Sequence, residues 1–172
     1  MATPIPQNDA AFDLEEVLEA TGGRVMGPLG ERHQGLCGVS TDSRRLRRGE
    51  IFVALQGEQH DGHRYLAAAA EAEAGLAIVE RDLEPPGGAT TLVRVDDTWR
   101  ALRQLAAHHL TRWRQHHGGR VLAVTGSAGK TTTKAAIGAI LDQVAPRLAH
   151  VTAGNLNNLV GVPMTIFGLG AS

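Results

Sequence analysis

Seven consecutive residues carry the clearest chemistry in this chain. Gly126, Ser127, Ala128, Gly129, Lys130, Thr131 and Thr132 lie between an apolar run at 121–124 and a helix-compatible segment from 130 to about 142. The run reads as a strand buried on both faces. Glycines let the backbone approach an anion, the N–H groups of a helix start point at it, and the helix dipole favours negative charge. Lys130 would neutralise β and γ phosphates, and the Thr131 hydroxyl would sit on Mg²⁺. The general phosphate-loop pattern has a glycine six residues before the lysine, where this chain has Val124, so the match is to the shorter Gly-x-x-Gly-Lys-Thr form. The plain alternative is a glycine turn followed by a chance Lys-Thr. A strand feeding Gly126 and a concavity facing Lys130 are what the phosphate reading requires.

Three other groups have chemistry to offer. Ser40, Thr41, Asp42, Ser43 and Arg44 suit a turn, because short polar side chains bond neighbouring backbone groups. The same hydroxyls with Arg44 could hold a pyrophosphate or sugar hydroxyls. Arg45, Arg47 and Arg48 come next, and such a run is more often a solvated face than a ligand site. His60, Asp61 and His63 lie in a polar glycine loop whose spacing fits no common zinc pattern, so contact with substrate or solvent is favoured over metal. Asn155, Asn157 and Asn158 form either a turn capping a helix that begins near 162 or 163, or amides that bond a polar substrate. Spacing leaves those two even.

These groups need elements to position them. Asp13 and Glu16 have capping-box spacing, Leu14, Val17 and Leu18 share a face, and Gly22 and Gly23 stop that helix. Residues 1–11 have no periodicity and are expected to fray. Residues 51–55 form a buried strand, a helix follows over 64–74 with Tyr65 and Leu66 facing inward, and 76–79 is a second buried strand, together a βαβ unit. Residues 82–89 form a surface loop and 91–95 a short strand. Asp96 or Asp97 then caps an amphipathic helix marked by Trp99, Leu102, Leu105, Ala106, His109, Leu110 and Trp113. His108, His109, His116 and His117 do not align at i, i+4, which favours a solvated helix end over a metal site. Gly118 and Gly119 break the chain, and 147–152 is strand-like. The domain boundary is placed near Asp96, with the amphipathic helix in the second domain.

Composition sets the bounds. A chain of 172 residues with 42% hydrophobic and 20% charged residues is an ordinary soluble globular protein. A net charge of −1 argues against bulk capture of nucleic acid or membrane. No apolar run is long enough to span a bilayer and no signal peptide opens the chain, so a cytoplasmic protein without membrane insertion is expected. The single cysteine, Cys37, excludes an internal disulfide framework and reads as a small hydrophobe near a strand.

With these pieces in place, the chain resembles the Mur ligases, the ATP-dependent, amide-bond-forming family of bacterial peptidoglycan synthesis. Four segments carry the resemblance: Ser-Thr-Asp-Ser-Arg at 40–44; Gly-Glu-Ile-Phe-Val-Ala-Leu-Gln-Gly-Glu at 49–58 with Asp61, Gly62 and His63; Thr-Gly-Ser-Ala-Gly-Lys-Thr-Thr-Thr-Lys at 125–134; and Gly-Asn-Leu-Asn-Asn at 154–158 with Gly161, Val162 and Pro163. The first two are shared with the member that adds the third peptide residue. The last is similar to the branch that adds D-alanyl-D-alanine to UDP-N-acetylmuramoyl-tripeptide. Ala128 stands where relatives often carry a larger residue such as asparagine, with little consequence for a cradle made of backbone.

The resemblance implies an α/β fold: residues 1–96 as an N-terminal UDP-substrate-binding α/β domain, and 97–172 as the truncated start of a P-loop ATPase-type α/β domain. It implies ATP and Mg²⁺ as cofactors, with 126–132 cradling ATP, Lys130 and Thr131 in catalysis, and Thr131 on the metal. Ser40 to Arg44, with His60, Asp61 and His63, would hold the UDP end of the sugar nucleotide. Asn155, Asn157 and Asn158 would orient substrate near the reaction centre. The implied partners are UDP-N-acetylmuramoyl-tripeptide and D-alanyl-D-alanine, bound by a monomeric parent. The family's Mg²⁺-binding glutamate and histidine and its third domain lie beyond this stretch, so the chain is expected to be a fragment unable to complete catalysis. The ligase for the third residue, a sugar-nucleotide-binding fragment without turnover, and an unrelated P-loop kinase or NTPase stay open as alternatives.

Overall fold

A computed structural model of the chain describes residues 5–29, 35–57, 60–85, 90–146, 148–154 and 156–170. After a two-residue strand β1 (Ala11–Phe12), helix α1 (Leu14–Thr21) begins at Asp13. The Asp13 carboxylate accepts the Glu16 N–H at 2.8 Å, and the Glu16 carboxylate accepts the Asp13 N–H at 2.9 Å. The capping box expected from the spacing is therefore formed, and Gly22 closes the helix in the left-handed conformation.

Strand β2 (Arg24–Met26) lies at one edge of a five-stranded sheet, and β3 (Leu36–Cys37) pairs with β1 in a separate ribbon. The sheet continues with β4 (Val39–Ser40), β5 (Ile51–Val53), β6 (Leu76–Val79) and β7 (Thr91–Arg94). Its order is β2-β7-β6-β5-β4, with β4 to β7 parallel and β2 antiparallel to β7. Helix α2 (Leu66–Glu71) connects β5 to β6, which is the expected βαβ unit. It is shorter than the helix expected over 64–74, since Gly62–Tyr65 is a 3-10 turn. Tyr65, expected to face inward, is exposed, because the tighter turn rotates it away while Leu66 is buried.

Alternation along the strands divides the core in two. Ile51, Val53, Leu76, Ile78 and Val93 face one side, and Phe52, Ala77, Val79 and Leu92 face the other with Leu66 and Ala69 of α2. Because β4 to β7 are parallel, the segments that leave their carboxyl ends, at 41–44, 54–57, 80–81 and 95–97, all emerge along one edge of the sheet. That edge is where open parallel sheets place ligand-binding loops.

Helix α3 (Thr98–His117) opens on Asp97, whose carboxylate accepts the Arg100 N–H at 2.8 Å. Its residues Ala101, Leu102, Leu105 and Ala106 join the core cluster of β5, β6 and β7. Burying Leu102 and Leu105 contributes roughly 1.5–3 kcal/mol each, so this helix is held to the first sheet. The boundary expected near Asp96, with α3 assigned to the second domain, thus cuts through a packed unit. Helix α5 (Gly161–Phe167) also packs on α3, with Met164 and Phe167 in the same cluster. By contrast α4 (Lys130–Val144) has no buried residue.

The strand expected at 121–124 is not formed, and Leu122 is 67% exposed. Residues 148–152 are likewise not a strand, and Arg147 lies outside the described residues. A strand buried on both faces needs neighbours to take its backbone hydrogen bonds and its side chains. Among the described residues none pairs with 121–124.

Candidate functional site

The glycine loop leads into α4 as its spacing predicts. Gly129 is the N-cap at φ +76°, a left-handed conformation that L side chains rarely adopt. No side chain caps this helix start, so its first amides take no acceptor from a capping residue. An anion is the natural complement of such an end. The Lys130 ammonium turns back over the loop and donates to the Gly126 carbonyl. Ser127, Ala128, Thr131 and Thr132 are exposed around it. Lys134, one turn on, donates to the carbonyls of Thr152 at 2.6 Å and Gly154 at 3.3 Å, tying α4 to the segment that leads to the asparagines. The helix and glycine turn are in place, whereas the strand feeding Gly126 is not, so the structure leaves that requirement of the phosphate reading unmet and supports it through the turn and helix start alone.

The 40–44 segment follows the carboxyl end of β4. Asp42 N–H donates to Ser40 Oγ at 3.2 Å, and the Asp42 carboxylate caps the 3-10 turn Ser43–Arg45 by accepting the Arg44 N–H at 3.1 Å. Arg44 folds its guanidinium onto the same carboxylate, Nε at 2.8 Å and Nη2 at 2.7 Å. That pairing holds the Asp42 carboxyl below its usual range. Ser40, Thr41 and Asp42 line a cleft of about 200 Å³, whose other walls include Ile5, Gln7 and Met164 of α5. Thr41 and Ser43 are half-buried.

The neighbouring arginines are occupied with structure. Arg45 donates to the Ile5 carbonyl at 2.8 Å, Arg47 to the buried Glu50 carboxylate at 2.7 Å and to the Asn8 carbonyl at 2.6 Å, and Arg48 pairs with Glu73 at 3.3 Å. All three lie on an exposed face, as expected of such a run, and each also makes a tie there. They strap the N-terminal segment and the 47–50 turn to the edge of the sheet.

The loop after β5 is built around Asp61 and His63. His63 is buried, its Nδ1 lies 2.7 Å from Asp61 Oδ1, and its Nε2 accepts the Glu80 N–H at 2.9 Å. Nδ1 therefore carries the proton, and both ring nitrogens are engaged, which removes His63 as a metal ligand. Burial raises the Asp61 carboxyl, but hydrogen bonds from His63 and Arg81 outweigh it and hold the group at about 2. Arg81 Nη2 donates to Asp61 Oδ2 at 2.8 Å and to Gln56 Oε1 at 3.0 Å, and Trp99 Nε1 donates to the Gln56 carbonyl at 2.7 Å. A Cβ at Gly62 would stand 2.8 Å from the Leu55 backbone, so the loop closes only because residue 62 is glycine. His60 is exposed on it. The sequence reading did not place Glu80 and Arg81 at this loop, and it showed Gln56 only within the 49–58 segment and Trp99 only as part of a helix face. The position of Glu80 and Arg81, directly after a buried parallel strand, was the available signal.

Of the asparagines, Asn155 lies outside the described residues. Asn158 Oδ1 accepts the N–H groups of Gly161 at 2.7 Å and Val160 at 3.1 Å, so it performs the capping role at the start of α5. Asn157 is exposed beside it. The 40–44 and 56–63 segments thus share one sheet edge, and α5 carries the asparagine turn to the Ser40 cleft through Met164. Neither this cleft nor the shallow one at Gln56, Glu80 and Trp99 is lined by a phosphate-loop residue.

Comparison with known proteins accords with this layout. Residues 36–110 match the model for the Mur ligase family, catalytic domain, and residues 124–171 match the Mur ligase middle domain, together well over half of the chain. The UDP-N-acetylmuramoyl-tripeptide–D-alanyl-D-alanine ligase of Bacillus subtilis is 37% identical over 156 residues, covering 91% of this chain and 33% of the relative. The structure of UDP-N-acetylmuramoylalanyl-D-glutamyl-2,6-diaminopimelate–D-alanyl-D-alanyl ligase from Acinetobacter baumannii superposes with a TM-score of 0.72 at 35% identity, covering 99% of this chain and 35% of that one. MurF ligase from Thermotoga maritima, solved in complex with ADP, gives 0.60 at 31% identity, covering 76% and 28%. The chain spans about a third of the length of these relatives.

Proposed function

This chain belongs to the Mur ligase family, and on that premise we propose that it carries the sugar-nucleotide module and the ATP phosphate loop of a ligase joining D-alanyl-D-alanine to UDP-N-acetylmuramoyl-tripeptide. One observation supports the reading above the others. A glycine loop opens an uncapped helix at Lys130 in a chain that aligns over 91% of its length with such a ligase. Most of the length of those relatives has no counterpart here, so the complete reaction is assigned to a longer protein.

In the proposed chemistry the γ-phosphoryl group of ATP passes to the terminal carboxylate of the tripeptide, giving an acyl phosphate and releasing ADP. The amine of D-alanyl-D-alanine attacks that carbonyl, and the tetrahedral intermediate collapses to the amide with loss of phosphate. Such transfer depends on positioning and charge neutralisation. Gly126 to Thr132 would cradle the phosphates by backbone N–H groups, and Lys130 would leave the Gly126 carbonyl to meet the β and γ oxygens. Thr131 would contribute its hydroxyl to Mg²⁺. The other protein ligands of the ion, a glutamate and a histidine by the family resemblance, would come from the longer protein, with phosphate oxygens and water completing the shell. Bound there, the ion would neutralise charge on the transferring phosphoryl group.

Ser40 to Arg44 and the 60–63 loop, on one edge of the sheet, would receive the UDP end, with Thr41 and Ser43 offering hydroxyls and Arg44 a guanidinium. Asn157 would face the peptide-bearing side. Calorimetry with UDP-N-acetylmuramoyl-tripeptide and with Mg-ATP tests the reading on this chain. Measurable sugar-nucleotide binding is expected, with weaker ATP binding because the strand that should brace the loop is unformed. No binding of the sugar nucleotide would overturn it.

A further inference from the structure

The loop after β5, assigned above to the sugar nucleotide, is held from several sides. Gly57 N–H donates to the His60 carbonyl at 2.8 Å and Gly62 N–H to the Leu55 carbonyl at 2.8 Å, so the ends of the segment are drawn together by backbone. Two side chains from outside it then fix its orientation. Arg81, just beyond β6, spans Gln56 Oε1 and Asp61 Oδ2 with one nitrogen, and Trp99, at the start of α3, donates to the Gln56 carbonyl. Asp61 in turn orders His63, whose ring accepts the N–H of Glu80, the residue beside Arg81. Glu80 closes the circuit by accepting the Thr98 N–H at 2.6 Å and hydroxyl at 2.7 Å, at the start of α3 next to Trp99.

We propose that Arg81 is a positioning residue for the sugar-nucleotide site: its guanidinium bridges Gln56 and Asp61 and so presents the His60–Asp61 turn to the ligand without touching it. The role rests on the reading of that turn as a ligand contact. An arginine suits it because the two N–H groups of Nη2 diverge in the fixed plane of the guanidinium, one for each acceptor, whereas a lysine offers a compact point charge on a flexible stem. Arg81 is half-exposed and joins no core cluster, so its removal leaves the sheet packed.

Three measurements on the full chain test this. First, Arg81→Ala is expected to weaken binding of UDP-N-acetylmuramoyl-tripeptide roughly tenfold while Mg-ATP binding stays unchanged, and Arg81→Lys is expected to recover part of the loss. Second, amide exchange at Gly57 and Gly62 should accelerate in Arg81→Ala with exchange at Ile51 to Val53 unchanged. Third, Arg24→Ala, which breaks the exposed pair with Asp82 at 2.9 Å nearby, should leave both ligand affinities as in the wild type. Unchanged loop exchange, or equal loss of both ligands in Arg81→Ala, would overturn the role. A wild-type chain that fails to bind the sugar nucleotide, yet shows the loop exchange responding to Arg81→Ala, would overturn the ligand reading and its use by Arg81 while leaving the mechanical link intact.

Discussion

His109 on α3 donates from Nε2 to the backbone oxygen of Leu169 at 3.0 Å, joining residues that flank the whole phosphate-loop segment. Its ring packs near Phe12 and Phe167, with centroids at 5.9 and 6.1 Å, and its Nδ1 is buried without a partner among the described residues. Because the carbonyl only accepts, Nε2 must hold a proton, which leaves Nδ1 bare in the neutral ring. The asparagine turn and α5 are thereby anchored on the N-terminal body, although α4 lies between them in sequence.

That bond has a pH signature. Burial lowers the pKa of His109 below its ordinary 6.5, helped by Arg112 and His108 and opposed by the Leu169 carbonyl and Glu16. The unfolded chain then binds this proton more readily than the folded one. Stability from this group is accordingly present above about pH 6.5, and it is lost as pH falls from there through the lower pKa of the folded state. His109→Gln, which keeps a donor for Leu169 but cannot titrate, should flatten the loss between pH 7 and pH 5 in urea melts. Equal slopes for the two proteins would count against the assignment.

Lys130→Ala, in an enzyme that carries the rest of the ligase, should lower kcat/KM for ATP-dependent ligation by roughly 10²–10³-fold, the scale of losing one preorganised charge on a transferring group. Phosphate release and the mass of the peptide product report it. Near-normal turnover would remove the lysine from the phosphate site.

Leu102→Ala tests which body owns α3. A fully buried leucine leaves a cavity, and a loss of about 2–5 kcal/mol is expected in denaturant melts of this chain. Leu141→Ala on the exposed α4 should stay within about 0.5 kcal/mol. If the two variants melted alike, the packing of α3 on the first sheet would be wrong.

Val121, Leu122, Ile140, Val144 and Leu148 are all exposed, Ile140 and Val144 on α4 itself. Apolar surface of this kind invites association, so sedimentation of the isolated chain should show self-association that grows with concentration. A clean monomer at high concentration would contradict the expectation.

Much of this was legible in the residues because the cause was local. Asp13 and Glu16 cap α1 over three residues of separation, the 51–53 and 76–79 strands announce themselves as apolar runs, and the Gly126–Gly129 spacing yields a glycine turn into α4 whatever lies around it. The same logic misled at 121–124, where an apolar run met the composition of a strand but strand formation depends on hydrogen bonds from other segments. Periodicity showed that α3 has an apolar face and could not say which surface would cover it.

The chain's order of residue types thus determined a glycine turn into α4, a parallel βαβ frame and the loops at its carboxyl edge. Tertiary structure alone decided that Arg45, Arg47 and Arg48 serve as straps, that His63 is a buried acceptor, that Arg81 and Trp99 hold the Gln56 loop, and that α5 returns to α3. Each of those outcomes joins groups through space: a donor is spent on whichever acceptor the fold brings within about 3 Å, and that choice is made when the elements pack.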